Sequence, residues 1–155
     1  MAVAPDVSRA HAEEEIEAAR EWAGLHGWSL DWKPDQLLLS VSMRSAVDGE
    51  AFELEVALDG YRAVPPMFEF RHAATGERGT YRCYPKGGRG YFHNQPVICA
   101  PWNRKAYAAF GGPHGDWAMA NWATYRPNHA RIGDVLALIQ VLINDKSSYQ
   151  GRMAP

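Results

Sequence analysis

The sequence predicts an α+β domain: an N-terminal helix, an antiparallel β-meander, an irregular loop region and a C-terminal amphipathic helix. Three observations lead there. Apolar residues recur at steps of three and four near residues 8–26 and again near 129–144. Between them, short stretches alternate apolar and polar residues with a period of two. Residues 100–130 are rich in Trp, Gly, Pro and His and show no sustained period, and so long an irregular segment in a compact domain is usually functional.

Ser8 to about His26 reads as the first helix. Ser8 is placed to cap its first turn, and Ala12, Ile16, Ala19 and Ala23 form its apolar stripe. Glu13, Glu14, Glu15 and Glu17 cluster near its N-terminal end, where carboxylates suit the helix dipole, and read as a solvated face. Gly24 and Gly27 supply the stop. Three strands follow. Leu37, Leu39, Val41 and Met43 alternate with Leu38, Ser40 and Ser42; Phe52, Leu54, Val56 and Leu58 alternate with charges that include Glu53 and Glu55; Phe68 and Phe70 alternate with Glu69 and Arg71. Asp48-Gly49 marks the turn between the first two. The stretch YRAVPP, Tyr61 to Pro66, reads as a rigid extended connection, because two prolines forbid ladder positions. KGGRG, Lys86 to Gly90, lacks the Gly-Lys-Ser/Thr ending of a phosphate loop and reads as a turn. Ile132, Val135, Leu136, Ile139, Leu142 and Ile143 define the last helix, from about His129 to Asn144.

A chain of 155 residues suits one domain, here 1–155 with its core over about 8–145. The net charge of −2 gives no basic footprint for nucleic acid and no polybasic patch for a membrane surface. The apolar run Val135 to Ile139 is far too short to cross a bilayer, and the N-terminal residues lack the pattern of a secretory signal. Cys83 and Cys99 are too few for a disulfide framework, so a cytoplasmic protein with reduced thiols is expected.

Taken alone, Cys99 in PVICA is a small core residue, because free cysteine is among the most buried residue types. His93, His114 and His129 lie in or beside the irregular segment that also holds Cys99. A metal site from Cys83, His93, Cys99 and His114 is disfavoured, since no Cys-x-x-Cys or His-x-x-x-His pair seeds it; neither metal nor cofactor is expected. A Cys-His hydrolase with His114 or His129 as base stays open, because such dyads are assembled by folding rather than by spacing.

The order of these pieces resembles the ubiquitin-conjugating (E2) family. Tyr61, Pro65 and Pro66 match its Tyr-Pro-x-x-Pro-Pro connection, with Arg62 in place of the first proline. Ile98-Cys99-Ala100 matches the Ile-Cys-Leu around its active cysteine, and IGDVLALIQVLI, Ile132 to Ile143, matches its following helix. His93-Asn94 lacks the proline of the family's His-Pro-Asn motif and lies closer to the cysteine, Asn94 standing five residues before Cys99. With its long segment after the cysteine, the chain looks like the divergent bacterial E2-like proteins found with E1-like, ubiquitin-like and deubiquitinase-like partners.

The resemblance implies a UBC-like fold and a catalytic Cys99 that accepts the C-terminal carboxyl of a ubiquitin-like modifier as a thioester. Its partners would be an E1-like activating enzyme that docks on the first helix, the modifier, a protein substrate offering a lysine amine, and an associated deubiquitinase-like protease. Asn94, with His93 beside it, or His114 would supply the donor that stabilises the thioester oxygen during aminolysis. Arg104, Lys105 and His114 are candidates for a local positive field at the thiolate, while Trp102, Trp117 and Trp122 serve packing. A rival of another class is a non-catalytic UBC-fold module that binds a modifier or partner through the same surface.

Overall fold

The computed structural model describes residues 3–92, 95–109, 119–125 and 131–154, and its fold is α+β. The first helix, α1, spans Pro5–His26. It begins three residues earlier than the sequence pattern suggested, because Pro5 carries a fixed helical φ into the first turn after an extended Ala4. Ser8 is therefore not the cap; it is buried inside the helix. Gly27 closes α1 in the left-handed region at φ 72°, donating its N–H to the Ala23 carbonyl, and Gly24 stays within the helix.

A four-stranded antiparallel sheet follows in the order β1-β2-β3-β4, formed by Ser29–Lys33, Leu38–Arg44, Ala51–Ala57 and Met67–Arg71. The meander thus has one strand more than predicted. In β1 the charges Asp31 and Lys33 alternate with only Leu30 and Trp32, both half-buried, so its period was too weak to read alone. Register rows Leu39-Val56-Phe68 and Val41-Leu54-Phe70 form the inner face, and all six side chains are buried. The outer face carries Ser40-Glu55-Glu69 and Ser42-Glu53-Arg71. Glu55 and Glu69 stand directly opposite each other, a repulsive pairing. Arg78 neutralises Glu55 and Lys105 neutralises Glu69 at 2.7 Å, while Arg71 pairs with Glu53 at 2.8 Å.

Beyond the sheet, β5 (Pro85–Gly87) pairs with β6 (Tyr149–Arg152) as a second, two-stranded sheet. KGGRG is the turn at its edge, and two of its glycines are required by close approaches. A Cβ on Gly87 would lie 2.0 Å from the Ser148 carbonyl oxygen, and one on Gly88 would lie 2.5 Å from the Phe92 ring. Among its described residues, the segment after residue 100 contains two short α-helices, α2 (Arg104–Ala109) and α3 (Trp122–Tyr125), too brief for periodicity to reveal.

The last helix, α4, spans Ile132–Asn144 and buries Ile132, Val135, Leu136, Ile139, Leu142 and Ile143 in the core shared with the inner sheet face. It packs against α1 where Gly133 meets Ala19, two small residues that let the backbones approach. Gln140, also buried, accepts from the Trp28 indole at 2.8 Å and donates to the Arg44 carbonyl at 2.9 Å, fastening α4 to the sheet. Among the described residues, no helix is long and apolar enough to cross a membrane.

Candidate active site

The YRAVPP connection is a turn rather than an extended rod, and buried polar contacts anchor it. Tyr61 is fully buried and donates its hydroxyl to Glu15 Oε1 at 2.7 Å; Arg62 Nε donates to Glu15 Oε2 at 2.8 Å. The same Glu15 Oε1 accepts the Ile132 backbone N–H at 2.8 Å, and so caps α4, whose own N-cap residue Arg131 provides no side-chain cap. Glu15 is therefore a buried structural carboxylate, not part of a solvated acidic face. Burial and this carboxylate push the Tyr61 hydroxyl far above its ordinary pKa, so it remains a donor. Trp122 leans on Tyr61 and donates its indole N–H to the Arg62 carbonyl at 3.2 Å, which draws α3 onto the connection.

The two cysteines part ways. Cys83 sits in a short 3-10 turn over Tyr81–Cys83, has no exposed surface, and donates its Sγ–H to the Glu77 carbonyl at 3.4 Å. Cys99 is half-buried, although Val97, Ile98 and Ala100 around it are all in the core. Neither forms a disulfide. Phe92 bridges Gly87 on one side and Ile98 on the other, and the Cys99 N–H donates to the Tyr91 carbonyl at 2.9 Å. Cys99 is thus held beside the turn that follows β5, and within Val97–Ala100 it alone is not buried. Partial burial raises its thiol above the ordinary cysteine value.

Immediately after Cys99 the chain is pinned by Asn103, which has no exposed surface. Its Nδ2 donates to the Ile98 carbonyl at 2.9 Å, and its Oδ1 accepts from the Phe68 N–H at 2.9 Å and the Lys105 N–H at 3.3 Å. Trp102 packs edge-on against Phe68 and stacks near Tyr91, and Tyr107 donates its hydroxyl to the Pro101 carbonyl at 2.9 Å. Trp102, Trp122 and Tyr107 are all buried, so their first contribution is packing. Asn103 carries no motif and was missed in the sequence; an asparagine four residues past a cysteine gives no signal until the fold brings β4 beside it.

Arg104 and Lys105 do not provide a free positive field for a thiolate. Arg104 pairs with Asp59 at 2.7 Å and donates to the Asp59 carbonyl, and Lys105 pairs with Glu69. Both cations are spent holding α2 to the sheet and to the turn before Tyr61. Of the residues predicted to act with Cys99, His93, Asn94 and His114 lie outside the described residues, as do His129 and Trp117. No group of three or more His, Cys, Asp or Glu side chains among the described residues is arranged to hold a metal ion. In comparisons with known proteins, the chain matches no family model, no curated protein and no solved structure.

Proposed function

We propose that this chain is an E2-like conjugating enzyme with a UBC-like fold, carrying a ubiquitin-like modifier on Cys99. One observation carries the reading. Between a four-stranded meander with its Tyr-x-x-x-Pro-Pro turn and the helix α4, the one cysteine not sealed in the core stands on a loop pinned at both ends. That is the order the resemblance requires, and it separates Cys99 from Cys83.

In this reading an E1-like partner presents the modifier as a thioester. The Cys99 thiol loses its proton and its sulfur attacks the thioester carbon; the new C–S bond forms as the partner's thiolate leaves. A lysine amine of the protein substrate then attacks the same carbon, the C–N bond forms, and Cys99 leaves as thiolate. His93, Asn94 or His114 would donate to the oxygen that becomes negative in this step. A thiol whose pKa is raised by burial is a poorer leaving group, which slows loss of the modifier until an amine is positioned. The reaction is one of positioning and needs no cofactor. A cytoplasmic site of action, with a deubiquitinase-like protease to reverse the product, belongs to the same reading.

The raised thiol also favours a second reading, a UBC-fold module that binds a modifier without accepting it. One experiment separates the two. Incubation with the cognate activating enzyme, modifier and ATP should give an adduct that reductant removes, that Cys99→Ala abolishes and that Cys83→Ala retains. No adduct on the wild-type chain, with partners shown to be active, sinks the carrier reading and leaves the binding module.

A further inference from the structure

We infer that Asn103 is a positioning residue for Cys99, setting where the sulfur stands relative to the sheet; the inference rests on Cys99 being the acceptor. The Ile98-Cys99 peptide unit is fixed at both polar ends. Its N–H donates to the Tyr91 carbonyl at 2.9 Å, and its carbonyl accepts from Asn103 Nδ2 at 2.9 Å. A peptide plane held on both edges has little freedom to swing, so the N–Cα bond from which the Cys99 side chain departs has a set direction.

What holds it is itself rigid. Asn103 Oδ1 takes the Phe68 N–H near the start of β4 and the Lys105 N–H at the start of α2. Three of the four hydrogen-bonding positions of this amide are used, on three separate parts of the chain, with no exposure to water. The backbone closes the same knot: Asn103 N–H donates to the Ala100 carbonyl at 3.1 Å and Arg104 N–H to the Pro66 carbonyl at 2.9 Å. The loop after the cysteine is therefore keyed to the sheet by the Asn103 side chain and to the end of the YRAVPP turn by the Arg104 backbone. A thioester on Cys99 would inherit that orientation, and an amine approaching it would meet the carbonyl at a constant angle.

Asn103→Asp tests the link selectively. The new carboxylate still accepts from Phe68 and Lys105 but can no longer donate to the Ile98 carbonyl. Amide hydrogen exchange in this variant should show Cys99 losing protection while Phe68 keeps it; loss spread evenly over the core would mark a merely structural residue and overturn the inference. With the purified cognate partners, single-turnover discharge to free lysine should slow on the order of tenfold in rate constant. Tyr149→Phe, which removes a hydrogen bond to Asp48 in the turn between β2 and β3, should lower stability and leave that rate constant unchanged. Equal discharge rates in wild type and Asn103→Asp overturn the role of Asn103, whereas failure of the wild type to form any adduct overturns the carrier reading instead. If the variant does not fold, the wild-type exchange pattern decides: a Cys99 amide as protected as Phe68 supports the inference, and one that exchanges freely overturns it.

Discussion

Glu15 and Asn103 are buried polar side chains that each gather three partners, all long-range for Glu15 and one long-range, Phe68, for Asn103, and their desolvation is tolerated because their oxygens or nitrogens are used. Removing such a hub leaves several buried groups unpaired at once. Glu15→Ala, which removes the acceptor of the Tyr61 hydroxyl and of the Ile132 N–H, should cost about 2–4 kcal/mol in urea unfolding, with Glu15→Gln losing less because it keeps an acceptor. Cys99 offers a second residue-scale test. Its thiol is raised by burial, so the neutral form dominates at pH 7 and the thiolate appears as pH rises. Alkylation of the native chain by iodoacetamide should therefore occur at Cys99 with a pH midpoint above the ordinary value of about 8.5, while Cys83 reacts only on unfolding. A midpoint below that of free cysteine would show an activating charge at the sulfur.

Among the elements, α4 and the inner rows of β2, β3 and β4 were legible because amphipathic period and register describe the same buried face. Leu39, Val41, Leu54, Val56, Phe68 and Phe70 all point where alternation placed them. Strands β5 and β6 were not legible. Pro85–Gly87 and Tyr149–Arg152 are three and four residues long, and each is a strand only because the other lies beside it. The same holds for the site. Cys99 was singled out through the order of its neighbours, but Asn103 and the pairing of Arg104 with Asp59 and of Lys105 with Glu69 depend on contacts across the fold. The glycine at 87 makes the point testable. Gly87→Ala places a methyl against the Ser148 carbonyl and also requires a left-handed alanine at φ 90°. It should cost about 2–3 kcal/mol, read as a lowered midpoint in thermal unfolding, whereas Gly90→Ala, with open space around it, should cost less.

For the whole molecule, acid stability has an identifiable contributor. Asp145, just past α4, accepts from the Ser147 hydroxyl and N–H, from the Ser148 hydroxyl and from Arg89 at 2.8 Å, and these partners hold its carboxyl well below the usual range. A depressed folded pKa means stability that is fully present above the unfolded carboxylate value of about 3.9 and is lost as pH falls through the lower folded value. Asp145→Asn should thus lower the melting temperature at pH 7, and the gap to wild type should close as the pH is taken below about 4. A gap that stays constant down to pH 2 would assign the effect to packing rather than to charge.

The contact between Glu15 and the Ile132 N–H joins positions 117 apart in sequence. Because α4 has no side-chain cap of its own, its first turn is completed by a residue translated long before it. During synthesis, α1 emerges with a carboxylate whose backbone partner does not yet exist, and it must stay hydrated until Ile132 is out. Closure of the two helices is then a late, long-range event with a large loop entropy to overcome, and the β-meander is free to form first.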